Sequence, residues 1–489
     1  MKLTEYQWSR NPRGMHNQGN PDINRIFSQK FGWMKLVALG SDYVSMCPQL
    51  LANNVTPIIR VYRPQHSGVP IDPEMRQNFL DYLNVGVKWF EIYNEPNLGI
   101  EWPNGANFDP MNTNGVIAPI CNNWLDWAEF IIENGGYPGF IPLSEAGGGW
   151  ENTTTWINQL CLYMFDNHYR RFSQVLHSGF WIPTHPYILN HFYQELPGQG
   201  ELSARPPEMQ NHAEGGWHFE YPYDPISQAG DPGRTVWGGT PLSPLGDVHG
   251  LIACGQAWLE RLQDMFGLGA VPVIGTEGGL WPLPQPGQLR QMDTRYPGFT
   301  WESHAHATVA MFDWTAREAP PWFWGLALWK WDHYYDPSGG GPMPAAFLLD
   351  QTSPVYKDVS ALDSGGFAAP PPADLVIEPP GPGPVHGEPT YHFIVLAPGI
   401  DEEWFFTVGR FYWDRFRPTL MTVHEFINFL PKDTSLAVTI LTTPDLVDLM
   451  NEQIARRWPN VYMDFVVGGE AREIEEILNS RVAVGRRFG

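Results

Sequence analysis

Charge is scarce in this chain, and positive charge scarcer still. Only 17% of the 489 residues are charged, and 30 Lys+Arg face 53 Asp+Glu, a net charge of −23. Nucleic acid and anionic membrane both require a basic footprint, so neither is expected as a partner. There is no run of about 18 apolar residues, so a transmembrane helix is not expected. Only four cysteines are present, Cys47, Cys121, Cys161 and Cys254, widely spaced and outside any C-x-x-C or Cys/His cluster. A structural zinc site is therefore not expected, and buried free thiols are favoured over disulfides. The opening MKLTEYQWSRNPRG lacks an apolar h-region, so no secretory signal is read in the chain as given. The compartment stays open between secreted and cytoplasmic. Two N-x-T triplets, at Asn54 and Asn152, do not settle it.

Aromatic residues are abundant: 22 Trp, 19 Tyr and 27 Phe, 14% of the chain. The 43% hydrophobic content supports a sizeable core. So many indoles fit either a Trp-rich core or a cleft that stacks on flat sugar faces, and composition alone does not choose.

Residues 1–362 alternate short apolar runs with longer helical stretches. Strands are expected near residues 13–16 and at 33–39, 56–63, 87–93, 139–144, 180–185, 271–276 and 323–329. Polar or Gly-rich residues and then a helical pattern follow each. One such helix is 122–134, with Trp124, Leu125, Trp127, Ala128, Ile131 and Ile132. Eight βα units imply a closed (β/α)8 TIM barrel, with functional groups at the C-terminal strand ends. Residues 193–245 are too long and Pro/Gly-rich for a simple connection and read as an insertion over that face.

Residues 363–390 form a Pro/Gly-rich linker. Residues 391–489 read as a small C-terminal α/β domain with parallel strands at 392–397, 435–441 and 461–467. A capping box at Thr422 and Glu425 opens a helix to about Leu430. Thr443 and Pro444 open another, with Leu446, Val447, Met450, Ile454 and Trp458 on one face. A third spans 471–478. Neither G-x-G-x-x-G nor G-x-x-x-x-G-K occurs there in a nucleotide-binding context, and the domain's role is unassigned.

Two strand ends carry a carboxylate. The fourth run is VKWFEIYNEPN and the seventh VPVIGTEGG, which puts Glu95 and Glu277 directly after apolar strands. Rigid backbone positions such a group and burial tunes it. The fourth and seventh strands of a barrel face each other, and glycoside hydrolysis uses two opposed carboxylates.

The pattern resembles the large (β/α)8 clan of retaining glycoside hydrolases that includes cellulases, mannanases, β-galactosidases and β-xylosidases. The resemblance covers about residues 1–360. It implies that Glu95 is the general acid/base, that Glu277 is the nucleophile and that Asn94 contacts the sugar 2-hydroxyl. Thr184-His185-Pro186-Tyr187 matches the His-x-Tyr of strand six, which implies that Tyr187 bonds the nucleophile, with His185 in support. Trp329, in Trp329-Lys330-Trp331, matches the indole that floors the −1 subsite. The clan carries an Arg near its nucleophile, for which Arg60 and Arg63 are candidates. His16, after the first strand, is a candidate to reach substrate. Trp281, Trp102, Trp150, Trp217 and His218 fall on the catalytic face as candidates for stacking on sugar. No cofactor and no metal is implied.

Glu145, in LSEAGGG, reads as a solvated loop residue. His304 and His306 read as helix residues rather than a metal pair. The expected activity is hydrolysis of β-glycosidic bonds by double displacement, on a neutral oligo- or polysaccharide. The acidic balance suits such a substrate better than a polyanion. A non-catalytic carbohydrate-binding or scaffold protein on the same barrel is the alternative. A metal-dependent hydrolase barrel would need a His/Asp set at strand ends that is not found.

Overall fold

The computed structural model describes residues 1–17, 22–188, 191–194, 217–281, 283–286, 288–330, 355–359, 389–421, 435–455, 458 and 461–489. Most of the linker, the Thr422 capping box, Trp331 and residues 195–216 of the insertion lie outside them. The chain divides into two compact units, Met1–Met164 with Arg171–Pro370, and Phe165–Arg170 with Pro371–Gly489.

The first unit is a TIM barrel. Its strands are β1 (Arg13–Asn17), β2 (Trp33–Ala38), β3 (Thr56–Val61), β4 (Trp89–Glu91), β5 (Tyr137–Pro138), β6 (Ile182–Thr184), β7 (Val273–Gly275) and β8 (Phe323–Leu328). They pair in parallel in the order β5-β4-β3-β2-β1-β8-β7-β6. The last edge closes where Gly139 bridges Trp181 in parallel, with Phe140 N donating to Trp181 O at 2.8 Å. Helices α1 (Ile23–Ser28), α2 (Cys47–Ala52), α3 (Pro73–Asn84), α4 (Ala118–Glu133), α5 (Thr153–Leu176), α6 (Ala253–Phe266) and α7 (Trp301–Arg317) follow β1 to β7 in turn. The fifth strand was expected at 139–144 but pairs regularly only at Tyr137–Pro138, with single bridges at Gly139 and Ser144. Pro138 and Pro142 lack the N–H that a continuous ladder needs. All four cysteines are buried free thiols. Asn152 is a buried cap, its side chain accepting from Thr155 N at the start of α5.

Much of the tryptophan is in the barrel floor. Trp33 and Trp89 begin β2 and β4, Trp181 precedes β6, and Trp324 lies in β8. All four are fully buried, in one cluster with Leu3 and Tyr6 of the N-terminal segment. Trp8 stacks on Trp324 at 4.6 Å and on Trp33 at 5.2 Å, while Trp89 meets Trp181 edge-on at 5.3 Å. The indole N–H of each of these four finds a carbonyl: Trp33 to Trp324 O, Trp89 to Gln7 O, Trp181 to Tyr137 O and Trp324 to Pro321 O. Inside the barrel Lys35 of β2 pairs with Glu91 of β4, both wholly buried. Burial lowers the Lys35 pKa to about 8 despite that partner.

The second unit is a separate small α/β domain. Its strands β9 (Tyr391–Leu396), β10 (Thr419–Leu420), β11 (Leu436–Thr442) and β12 (Tyr462–Val467) form a parallel sheet in the order β10-β9-β11-β12. Alternate residues face two apolar clusters. Phe393, Val438 and Ile440 pack with Met450 and Ile454; Ile394, Leu441 and Val466 pack with Phe405, Tyr412 and Leu478. Helices α8 (Glu402–Val408), α9 (Arg410–Phe416), α10 (Val447–Ala455) and α11 (Ala471–Val484) carry the partner side chains. The edge strand β10, only two residues long, was not foreseen. Thr443 makes no side-chain cap, because a 3-10 turn at Pro444–Leu446 precedes α10. The last helix runs past Leu478 to Val484 and stops at Gly485, φ +69°.

Candidate active site

Glu277, just beyond β7, is 4% exposed and surrounded by groups from other strand ends. Its Oε1 accepts from Arg60 Nη1 at 3.0 Å, and lies 3.5 Å from His16 Nε2 and 3.8 Å from His185 Nε2. Its Oε2 accepts from the Tyr187 hydroxyl at 3.1 Å. Burial alone would raise its pKa. The charges of His185 and Arg60 and the contact with His16 outweigh burial and hold the carboxyl well below the usual range.

Glu95 has φ +31°, a rare backbone for an L-residue, and precedes Pro96. Such a conformation costs on the order of 1–3 kcal/mol and persists only where its surroundings over-determine it. Here Leu98 N donates to Glu95 O at 2.8 Å and Trp102 Nε1 to Pro96 O at 2.7 Å. The wholly buried Asn97 donates to Ser144 O at 2.9 Å and Glu151 O at 3.0 Å, and accepts from Ser144 N at 2.9 Å. The loop that carries Glu95 is thus clamped to the loop after β5.

His185 joins the two carboxylates. Its Nδ1 is hydrogen-bonded to Glu95 Oε1 at 2.9 Å, while Nε2 faces Glu277. Burial lowers its pKa, but the charge of Glu277 and the bond to Glu95 win, and the imidazole titrates above its ordinary value. Gly278 makes this packing possible. At φ +133°, a Cβ there would lie 2.2 Å from Pro186 O. Its neighbour Gly279 N donates to Pro186 O at 3.0 Å, and Trp329 N donates to Gly278 O at 2.7 Å. The Trp329 ring lies 4.3 Å from that of buried His16, whose pKa burial lowers to about 4. Trp281 and Trp329 both meet Tyr187, at 5.8 and 6.4 Å.

The structure therefore brings together Glu95, Glu277, Asn94, His185, Tyr187, Trp329, Arg60, His16 and Trp281. Asn94 Oδ1 accepts from Arg60 Nη1, and Asn94 Nδ2 donates to Glu101 Oε1 at 2.7 Å. Of the two arginine candidates only Arg60 reaches Glu277; Arg63 donates to Leu39 O and Tyr62 O instead. Three stacking candidates are committed to packing. Trp102 and Trp217 are buried, and His218 stacks on Tyr193 at 4.4 Å and bonds Glu220. Trp150 is 46% exposed. Glu145 is not solvated: both carboxyl oxygens are buried and make no hydrogen bond among the described residues. His304 is a buried strut, Nε2 to Leu280 O at 2.6 Å. Among the described residues no group of three or more His, Cys, Asp or Glu is placed to hold a metal ion.

Asn97, Glu101, Gly278 and the Lys35–Glu91 pair were not foreseen. Only Asn97 and Gly278, close behind the two glutamates, gave a positional signal.

No protein-family profile matches this chain, and no curated protein matches it. Among solved structures, a D-psicose 3-epimerase with D-tagatose from Clostridium cellulolyticum H10 is similar over 39% of this chain and 74% of its own. Identity is 11% and the TM-score 0.24, a likeness that carries no argument about activity.

Proposed function

We propose that this chain is a retaining glycoside hydrolase that cleaves β-linked, neutral oligo- or polysaccharides. One observation carries the reading. Two glutamates just past β4 and β7 sit in unlike surroundings: Glu277, almost wholly buried, has Arg60, His16 and Tyr187 around it as well as His185, while Glu95 is held by that same imidazole. Pairs of carboxyls held in different environments are how one site supplies an acid and a nucleophile together.

Glu277 attacks the anomeric carbon while the bond to the leaving oxygen breaks, and Glu95 gives that oxygen its proton. In the second half water attacks the anomeric carbon, Glu95 takes its proton, and the bond to Glu277 breaks. Arg60 and Tyr187 hold the nucleophile ionised and oriented. In this reading the indole of Trp329, next to His16 and Tyr187, floors the reacting sugar. Burying an ionised carboxylate among Arg60, His185, His16 and Tyr187 is expensive, which favours a catalytic site over a binding-only barrel.

The test is Glu277→Ala on a panel of nitrophenyl glycosides and polysaccharides. Hydrolysis is lost, and azide or formate restores part of it on a substrate with a good leaving group. NMR of the product first formed by the wild-type enzyme reports the same anomer as the substrate. Near-normal turnover by Glu277→Ala, or an inverted product from the wild-type enzyme, overturns the assignment.

A further inference from the structure

A third glutamate is tied into the site by an unbroken row of hydrogen bonds. After Glu95 the chain folds back on itself. Leu98 N donates to Glu95 O at 2.8 Å, Glu101 N donates to Leu98 O at 3.1 Å, and the buried Trp102 anchors the return by its indole N–H on Pro96 O at 2.7 Å. The turn ends in a short 3-10 segment, Gly99–Glu101, and sets the half-buried Glu101 against Asn94. Glu101 Oε1 accepts from Asn94 Nδ2 at 2.7 Å. Asn94 Oδ1 accepts from Arg60 Nη1, the same nitrogen that donates to Glu277 Oε1 at 3.0 Å. The row therefore runs Glu101, Asn94, Arg60, Glu277.

The two ends of the row leave the Asn94 amide one orientation. A guanidinium only donates, so it faces Oδ1, and the carboxylate oxygen of Glu101 accepts, so it faces Nδ2. Held by Arg60 alone, the amide could swing about a single contact; held at both ends, its plane is fixed. Nδ2 carries two hydrogens, and Glu101 takes one. The other makes no hydrogen bond among the described residues, and Asn94 is partly exposed. Asn94 adjoins Glu95 in the chain and shares Arg60 with Glu277, so its spare hydrogen belongs to a group beside both carboxyls. A sugar whose anomeric carbon meets Glu277 carries its 2-hydroxyl one carbon away, and hydrogen bonds to that hydroxyl strengthen in the transition state. The gap that Glu101, Asn94 and Arg60 share with Tyr62 and His66 measures about 10 Å³, room for one water and none for a sugar ring. From that side Glu101 meets no sugar itself. Placing a third carboxyl here is unfavourable on charge alone: burial, Glu95 and Glu277 all disfavour its ionised form, and only Asn94 and Arg60 work the other way.

We propose that Glu101 is a positioning residue, which holds the Asn94 amide so that its free hydrogen meets the 2-hydroxyl of the sugar on Glu277. This rests on the glycosidase reading. Glu101 then acts on the reaction only through Asn94, and its removal is felt by substrates that carry a 2-hydroxyl and not by those that lack one.

The experiment measures kcat and KM of wild type and variants on the nitrophenyl glycoside that wild type cleaves best and on its 2-deoxy counterpart. Wild type prefers the substrate with the 2-hydroxyl. Glu101→Ala lowers that preference roughly tenfold or more, through kcat rather than KM. Glu101→Leu, which fills the space without accepting a hydrogen bond, does the same. Glu101→Gln, whose side-chain oxygen accepts from the same Nδ2, keeps the preference within about threefold of wild type. Asn94→Ala loses the preference too, and adding Glu101→Ala to it lowers the preference no further. A loop brace would slow both substrates alike, so an unchanged preference in Glu101→Ala and Glu101→Leu overturns the proposal, whether both rates fall together or neither moves. A wild type indifferent to the 2-hydroxyl, or a Glu101→Gln variant as impaired as Glu101→Ala, overturns it as well. If wild type cleaves no glycoside, it is the glycosidase reading that fails.

Discussion

Arg60→Gln is the sharpest test of how Glu277, the proposed nucleophile, is kept charged. Arg60 Nη1 and Glu277 Oε1 are 3.0 Å apart, with side chains only 6% and 5% exposed, so solvent screens the pair little. At an effective dielectric of about 20, unit charges 3–4 Å apart interact by roughly 4–5 kcal/mol. His16, His185 and Tyr187 remain in the variant, and Arg60 loses its own desolvation cost, so about half of that, roughly 2–3 kcal/mol, should be felt in catalysis. At about 1.4 kcal/mol per tenfold, kcat/KM falls roughly 30- to 150-fold. The acid limb of the pH profile moves upward, because Glu277 is protonated more easily. Stability carries the same signature. A carboxyl whose folded pKa is depressed stabilises the fold above its unfolded value, near 4.3, and loses that contribution as pH falls through the folded value. The gap in thermal stability between wild type and Arg60→Gln is therefore full at neutral pH and closes on acidification. Arg60→Lys restores charge but not the planar fork that also reaches Asn94, and lies between the two. An unmoved acid limb with less than threefold loss in kcat/KM refutes the electrostatic account.

Tyr187→Phe removes one hydrogen bond to a charged group, about 1.5–3 kcal/mol, and slows turnover roughly 10- to 100-fold with little change in KM; an unchanged kcat would show that the hydroxyl is a bystander. Gly278→Ala forces a Cβ to within 2.2 Å of Pro186 O and displaces Tyr187 and Trp329 together, so calorimetry should record a destabilised protein and assays a nearly inactive one. Lys35→Met alone leaves Glu91 buried without its partner and costs about 3–5 kcal/mol in denaturant melts, whereas Lys35→Met with Glu91→Leu regains most of it; a harmless single variant contradicts the ion pair. Trp89→Ala opens the barrel floor at a cost of about 3–5 kcal/mol while KM for substrate stays put, and a raised KM would place that indole in the cleft after all.

The barrel was legible because each strand is an apolar run bounded by turn chemistry, and the candidate site because Glu95, His185, Tyr187, Glu277 and Trp329 sit at the ends of such runs or just past them. What failed to show was anything set by three-dimensional pairing. Lys35 and Glu91 sit in apolar strands, and nothing in WMKLVA or WFE announces that the two meet inside the barrel. Glu145 looked like a polar loop residue, since sequence cannot reveal that Thr153 and Asn97 pull its backbone into the wall. The fifth strand was misplaced because apolar character was weighed above Pro142, which interrupts the expected run.

The tryptophan content shows what composition can and cannot decide. An excess of indole fits either a packed core or a sugar-binding surface, and both kinds of position occur: Trp281 and Trp329 border Tyr187, and Trp150 is open to solvent. Yet Trp33, Trp89, Trp124, Trp127, Trp156, Trp181, Trp258 and Trp324 are among the largest fully buried side chains. Trp33, Trp89, Trp181 and Trp324, at or near the starts of β2, β4, β6 and β8, close that end of the barrel. Flat rings meeting edge to face pack such a space with few rotamers to lose, each pair adding about 0.5–1.5 kcal/mol beyond its buried area. The same residue type therefore serves opposite ends of the fold. What separates the two uses is position along the strand. An indole at a strand's start belongs to the floor, and one just past its end belongs to the mouth, so counting tryptophans by strand end, rather than in total, is the measure that bears on sugar binding.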